Sequence, residues 1–259
     1  MNDGKGHYHP NTLITRDIVR ILGERGFSVA LGPELDNEHY NFNMLNVPAN
    51  HPARDMQDTF WLKREKNETE RRLLRTQTSN MQIRYMEQFV QEGREMPIRI
   101  VSPGRVFRNE ATDARHEAVF NQIEGLAVDT NITLGHLKGT LEYMLGELFG
   151  GTSHVRMRPG YFPFVEPGVE VDATCPACSG SGQAATGNCS VCHGTGWLEL
   201  MGAGMVHPSV LKNTGIDPNI YQGFAFGTGI ERLAMVKYGI DDLRLFNQGD
   251  LRLVNQFEA

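Results

Sequence analysis

A chain of 259 residues, 40% hydrophobic and 22% charged, can bury a sizeable core as one large domain or two small ones. Its net charge of −6 excludes a surface that is basic all over, although Arg71, Arg72, Arg75, Arg99, Arg105 and Arg108 can still line a local basic groove. No apolar run reaches the ~18 residues that cross a membrane, and the opening MNDGKGHYHP lacks the apolar core of a signal peptide, so a cytoplasmic protein is expected. In that compartment the four cysteines read better as metal ligands than as disulfides.

In chain order, Asn11 is a plausible helix N-cap, followed by Ile14, Ile18, Ile21 and Leu22 at helical spacing, with Gly23 and Gly26 bracketing the end. Phe27 to Leu31 reads as a short strand stopped by Gly32-Pro33-Glu34. Pro48 to Leu62 reads as a loop entering a strand, and the charge run Lys63 to Arg72 as a solvated tip. Leu73 to Thr76 resumes a strand. Ser79 would cap a helix whose face is Met81, Tyr85 and Phe89, closed by Gly93. Leu134, Leu137, Leu141, Met144, Leu145 and Leu148 form a strongly amphipathic helix, best read as core. Strands follow over His154–Arg158, Gly160–Val165, Val169–Asp172, Trp197–Met201 and Phe224–Phe226, and a helix over Ile230–Tyr238. Many strands and few helices, without regular alternation, predict an α+β fold: an antiparallel β-sheet flanked by helices, one domain over 1–259.

Pro97 to Val128 reads as strand, turn, strand, loop, strand. Strand alternation would put Arg108 with Glu110 on one face and Gln122 with Glu124 on one face. That polar surface is either a solvated outer face with cross-strand charge pairs or a substrate floor. Gly227-Thr228-Gly229 reads as a glycine-rich turn running into the helix that carries Glu231 and Arg232; the bland alternative is a helix start with a surface Glu–Arg pair. Arg108 and Arg232, from different elements, suit two parts of a polyphosphate, because the planar guanidinium grips phosphate oxygens in pairs. In Tyr161 to Glu166, alternation would turn Phe162 and Phe164 to one side, as pocket walls or simply as core.

Cys175-Pro-Ala-Cys178 and Cys189-Ser-Val-Cys192 are two CxxC pairs, each followed by Gly-x-Gly. Two such turns complete a tetrahedral Zn²⁺ shell, and the glycines let amides point at the sulfurs. Four Cys leave no need for His193, so a closed, structural zinc site is expected, pinning the tip of a hairpin over 173–196. The CxxCxGxG pattern also resembles the zinc knuckles of J-protein chaperones, but nothing else in the chain resembles a J domain.

FRNE, a loop, and FNQIEG resemble motif 2 of the class II aminoacyl-tRNA synthetases. GTGIERLAM resembles motif 3, and GFSVALGPEL with Pro33 the weaker motif 1. With HPARDMQDTFWL, LLRTQTSNMQIRYM, YFPFVEPG, GAGMVHPSVL and GFAFGTGIERLAM, the likeness is to the α-subunits of bacterial phenylalanyl-tRNA synthetases, from about His7 to Phe257. The resemblance implies ATP, with its Mg²⁺, and L-phenylalanine as substrates and tRNA(Phe) as acceptor. It implies that Arg108 holds the α-phosphate and the substrate carboxylate and Arg232 the γ-phosphate. Glu110 and Phe120 would recognise and stack on adenine, and His116 would approach the phosphates. Trp61, Gln77, Ser79, Gln122 and Glu124 would surround the amino acid, chiefly its ammonium end. Phe162 and Phe164 would flank the phenyl ring edge to face, and Val165 and Ala225 would shape the bottom of the pocket. The carboxylate attacks the α-phosphorus with no protein nucleophile, and positioning and positive charge supply the catalysis.

Three departures stand out. Gln77 replaces an expected His, the cysteine insertion replaces a plain hairpin of many relatives, and neither a tRNA-reaching N-terminal helical arm nor an anticodon-binding domain is recognisable. A β-subunit partner in a heterotetramer, or a homodimer through the motif 1 region, is expected. The rivals are a paralogue making an adenylate for another acceptor, and a catalytically silent binding or assembly module; intact Arg108, Glu110 and Arg232 argue against silence.

Overall fold

The computed structural model describes residues 6–51, 59–64, 69–114, 116–151, 153–185 and 187–257. Most of HPARDMQDTFWL and part of the 63–72 charge run lie outside them.

The frame is a seven-stranded sheet. Its strands are β1 (Ser28–Val29), β4 (Ile98–Phe107), β5 (Val119–Asp129), β6 (Val155–Phe162), β7 (Val165–Thr174), β10 (Trp197–Val206) and β11 (Gln222–Gly229). The spatial order is β1-β4-β5-β11-β10-β7-β6, antiparallel except for the parallel pair β1–β4. Two small ribbons accompany it: β2 (Leu35–Asn37) with β3 (Arg72–Leu74), and β8 (Gln183–Ala184) with β9 (Gly187–Asn188). The expected α+β class is the class observed.

Side-chain alternation gives the central strands two different jobs. Val101, Ile123 and Phe224 face one core, built with α1 (Pro10–Gly23), α3 (Leu134–Phe149) and α5 (Ile230–Tyr238). Ile98, Ile100, Leu126 and Val128 face a second core, shared with α2 (Ser79–Gln91), α4 (Pro208–Asn213) and a π-helical turn at His39–Asn43. The even positions of β5 before Leu126 are Phe120, Gln122 and Glu124. The second face thus changes from apolar to polar along one strand, and the site lies there.

Several local expectations are corrected. The stretch Ile98 to Phe107 is one ten-residue strand, with no turn at Ser102–Gly104, because all ten residues pair with β5. Arg108 and Glu110 lie beyond its end, where the Glu110 amide donates to the Arg108 carbonyl at 2.8 Å, so strand alternation does not set their faces. Gly227 to Gly229 is strand, paired with Glu124 to Gln122, rather than a turn. Phe162 ends β6 and Val165 begins β7, so a hairpin turn and not alternation brings Phe162 and Phe164 together.

The helix starts also differ. His9, with Pro10 behind it, caps α1: its ring Nδ1 accepts from the Asn11 amide at 3.2 Å. Asn11 is thereby freed to donate to Glu231. Ser79 is inside α2, whose cap position is Thr78. No side chain of that residue caps the helix. The Glu124 carboxylate from β5 accepts the Thr78 amide at 3.0 Å instead. An anion there meets the positive end of the helix.

Candidate functional site

A cavity of about 330 Å³ opens on the second face of the sheet. Gln122 and Glu124 of β5, Ala225 of β11 and Gly202 of β10 form its floor. Gln77, Ser79 and Gln82 form one side, Phe162, Phe164 and Val165 the opposite one, and Arg108 also lines it. Nine predicted residues therefore meet in one space: Gln77, Ser79, Arg108, Gln122, Glu124, Phe162, Phe164, Val165 and Ala225.

Glu124 is the electrostatic centre. It is 5% exposed and accepts from the Thr78 amide at 3.0 Å, Ser79 Oγ at 2.6 Å and Gln82 Nε2 at 2.7 Å. Burial pushes its pKa above the ordinary carboxylate value, and these hydrogen bonds oppose the rise. Two residues away on the same face, Gln122 Oε1 is buried without a hydrogen-bond partner among the described residues. A buried orphan acceptor costs about 1–3 kcal/mol unless something donates to it. The floor thus offers a carboxylate and a free carbonyl oxygen, a combination suited to an ammonium group.

The opposite side is apolar. The rings of Phe162 and Phe164 lie 6.1 Å apart at 28°, near parallel to one another. Their turn is held from outside: Asn46 Nδ2 donates to the Pro163 carbonyl at 2.7 Å, and the His207 amide to the Phe164 carbonyl at 2.9 Å. Gly202 permits the ring position, since a Cβ there would stand 2.9 Å from Phe162 Cζ. Gly227 does the same for the floor, where a Cβ would meet Glu124 Cγ at 2.9 Å.

Arg108 is half-buried and bonded through Nε to the Thr76 carbonyl at 3.3 Å. Burial lowers its pKa from the ordinary guanidinium value, and the charges of Glu110 and Glu124 act the other way. Its guanidinium carbon lies 5.1 Å from the centre of the Phe120 ring, close enough for a cation–π contact.

Five predicted residues do not line the cavity: Trp61, Glu110, Phe120, His116 and Arg232. Phe120 and Glu110 nevertheless sit beside Arg108, the one by ring contact and the other by charge. His116 is engaged with Asp113, Nδ1 lying 3.0 Å from both carboxylate oxygens, in a loop whose Ala114 carbonyl accepts the Leu243 amide at 3.1 Å. Arg232 is exposed on the first turn of α5. Trp61 bridges to Leu73 and lies beneath the Arg71 guanidinium at 3.7 Å, packed among the second core's residues.

Gln82, Asn46 and Gly202 escaped the sequence reading. Gln82 had a signal: it stands three positions after Ser79, on the same helix face. The others depend on contacts between distant segments. Glu231 was read at most as a surface partner of Arg232, yet it is 2% exposed.

The four cysteines converge. Their sulfurs all lie within 4.8 Å of one another, with Cys175–Cys189 at 4.0 Å and Cys178–Cys192 at 3.7 Å. The two loops repeat each other bond for bond. Gly180 and Gly194 amides donate to the carbonyls of Cys175 and Cys189, and Gly182 and Gly196 amides to the sulfurs of Cys178 and Cys192 at 3.3 and 3.2 Å. Gly182 and Gly196 have φ of 73° and 76°, and a Cβ on either would run into the other loop's backbone at 2.3 or 2.2 Å. Both positions need glycine.

The model of the class II core domain of tRNA synthetases (F) matches residues 2–257. The phenylalanine–tRNA ligase alpha subunit of Bacillus subtilis (strain 168) is 51% identical over 253 residues, covering 98% of this chain and 69% of that protein. That of Alkaliphilus metalliredigens (strain QYMF) is 52% identical over 252 residues, covering 97% and 69%. Among solved structures, the pyrrolysyl-tRNA synthetase of Desulfitobacterium hafniense superposes with a TM-score of 0.67 over 96% of this chain and 76% of that one; at 16% identity this speaks for the fold alone. With a matched core domain along nearly its whole length and half its residues shared with these relatives, the chain belongs to the class II aminoacyl-tRNA synthetases, in the family of phenylalanine–tRNA ligase alpha subunits.

Proposed function

We propose that the chain is the catalytic α-subunit that activates L-phenylalanine with ATP and passes the phenylalanyl group to tRNA(Phe). The observation that carries this is the polarity of one cavity. A buried carboxylate and an unpartnered carbonyl oxygen stand on its floor, two phenylalanine rings wall it, and Arg108 lines it next to the Phe120 ring.

Glu124 and Gln122 Oε1 take the ammonium of the substrate, with Ser79 and Gln82 holding Glu124 in place. Gln77, 8% exposed and lining the same wall, serves as a neutral donor and acceptor. The phenyl ring lies against Phe162 and Phe164 over Ala225, whose small side chain leaves it room, with Val165 beside the two rings. Arg108 grips the substrate carboxylate and the α-phosphate. Adenine stacks on Phe120 beside Glu110, and Arg232 holds the γ-phosphate. His116 exchanges Asp113 for the phosphates when the loop rearranges. ATP arrives as its magnesium complex. A carboxylate oxygen attacks the α-phosphorus, the bond to the bridging oxygen breaks, and pyrophosphate departs with that electron pair. Positioning and the positive charge of Arg108 and Arg232 lower the barrier.

The cysteine cluster fits Zn²⁺. A tetrahedron with Zn–S bonds of ~2.3 Å has sulfur–sulfur edges of about 3.8 Å, and the 3.7 and 4.0 Å pairs come close to that. Four thiolates close the shell, and their cavity-remote place between β7 and β10 makes the role structural. A β-subunit completes the working enzyme, as the word "alpha" in the relatives' names suggests.

The test is amino-acid-dependent ATP–pyrophosphate exchange. Exchange stimulated by phenylalanine supports the reading; ATP binding without exchange for any amino acid would point to a silent module.

A further inference from the structure

Glu231 is a buried carboxylate that the mechanism above leaves without a task. Its surroundings give it one. Oε1 accepts from the Asn121 amide at 2.9 Å, Asn121 Nδ2 at 2.7 Å and Asn11 Nδ2 at 2.9 Å, and Oε2 accepts from the Asn121 amide at 3.1 Å. Three elements therefore meet on one side chain: α5, whose first turn holds both Glu231 and Arg232; β5, between Phe120 and Gln122; and the first turn of α1.

Phe120, Gln122 and Glu124 look toward the cavity face, while Asn121 and Ile123 look toward the helices. A slip of β5 by one residue would exchange the two sets completely. The Glu231–Asn121 contact opposes such a slip at the end of β5 nearest the nucleotide, and β11 reinforces it by pairing Gly229 with Gln122. The same side chain fixes the first turn of α5, and with it the origin of the neighbouring Arg232. A salt bridge or an apolar contact would serve a plain packing role at this depth. A carboxylate gripped by four hydrogen bonds, at an N-terminus whose dipole favours an anion, is directional as well.

We propose that Glu231 is a positioning residue for ATP: through Asn121 it holds the Phe120 ring, and through the first turn of α5 it holds Arg232, so that adenine and γ-phosphate are met at a fixed separation. The phenylalanine half of the cavity has anchors of its own: Glu124 is held by Thr78, Ser79 and Gln82, and the turn carrying Phe162 and Phe164 by Asn46 and His207. This rests on the reading of Phe120 and Arg232 given under the proposed function.

The experiment measures Mg·ATP affinity by equilibrium dialysis, and KM for ATP and for phenylalanine by pyrophosphate exchange, on the full chain with its β-subunit. Glu231→Gln keeps the shape but removes the charge, and with its oxygen in the Oε1 place it sets an amide nitrogen against the Asn121 amide, where Oε2 accepts at 3.1 Å. It should weaken ATP binding and raise KM for ATP about tenfold, the scale of a lost charge-assisted bond, with KM for phenylalanine within about twofold. The exchange pair Glu231→Gln with Asn121→Asp restores a donor facing a carboxylate, and should recover ATP affinity to within about twofold of the parent. Unchanged ATP affinity in Glu231→Gln, an equal loss for both substrates, or a folded exchange pair without recovery would each overturn the proposal. If Glu231→Gln does not fold, Asn121→Ala, which removes only a side-chain donor, should show the same ATP-selective loss, and a loss shared by both substrates overturns it. A parent chain that binds ATP but exchanges no amino acid would defeat the proposed function and leave the ATP-binding comparison to decide this one; a parent that binds no ATP defeats both.

Discussion

Glu124 has two reasons to be sensitive to pH. Burial raises its pKa above the unfolded carboxylate value, so in the free protein it binds a proton more readily folded than unfolded. Between those two pKa values stability falls as pH rises, because the folded state must give up a proton that the unfolded state has already lost. Glu124→Gln should therefore gain melting temperature relative to the parent as pH is raised from about 5 to 8, the gap closing toward the lower end. A constant gap across that range would contradict the assignment. Substrate binding runs the other way. An ammonium needs the ionised carboxylate, so KM for phenylalanine should rise as pH falls through the raised pKa of Glu124, and Glu124→Gln should lose both that slope and about 10–100-fold in kcat/KM for phenylalanine. Steady-state kinetics at several pH values check this. A selective change in KM for ATP would place Glu124 elsewhere.

At the scale of elements, the hairpin β6–β7 and strand β10 set the shape of the apolar wall. Gly202 lies under Phe162 with no room for a methyl group. Gly202→Ala should displace the ring and raise KM for phenylalanine about tenfold, as overpacking costs about 1–3 kcal/mol; an unchanged KM would show that the ring does not bound the substrate. Ala225→Val should act likewise from the floor. The same elements show where sequence reading succeeds and fails. The long helix Leu134–Phe149 is plain from its leucine spacing, and nine of the cavity's residues from ordered motif matches. Ser102-Pro103-Gly104 looks like a turn, yet it runs straight in β4, because ten consecutive pairings with β5 outweigh local turn preference. Ser79 looks like a cap, yet the carboxylate at that helix end comes from residue 124, and no local window contains it. Phe162 and Phe164 were rightly paired for the wrong reason, since a hairpin turn and not alternation joins them. The burial of Glu231 has no local signal, because its partners, Asn11 and Asn121, are far away in sequence.

At the scale of the whole molecule, the cysteine insertion is part of the main core. Cys175, Cys189 and Cys192 are buried with the residues of α1, α3 and α5, and the strands on either side of the insertion, β7 and β10, contribute Val165 and Gly202 to the lining of the cavity. A metal bound there would add directly to folding energy. The purified chain should carry about one zinc, and Cys192→Ser should lose it and lower the melting temperature by several degrees. Metal analysis showing no zinc in reduced, folded protein would contradict the zinc assignment. None of the described helices is long and apolar enough to cross a membrane. The sheet joins the parts of the site: on one face Glu231 is bonded to Asn121 of β5, and on the other Glu124, Gln122 and the rings of Phe162 and Phe164 line a single cavity. The most direct test of that account is ATP–pyrophosphate exchange by the chain with its β-subunit, measured in turn with each of the standard amino acids. The account predicts exchange with phenylalanine, abolished in Arg108→Ala and reduced about 10–100-fold in Glu124→Gln; exchange driven by a different amino acid, or by none, would contradict it.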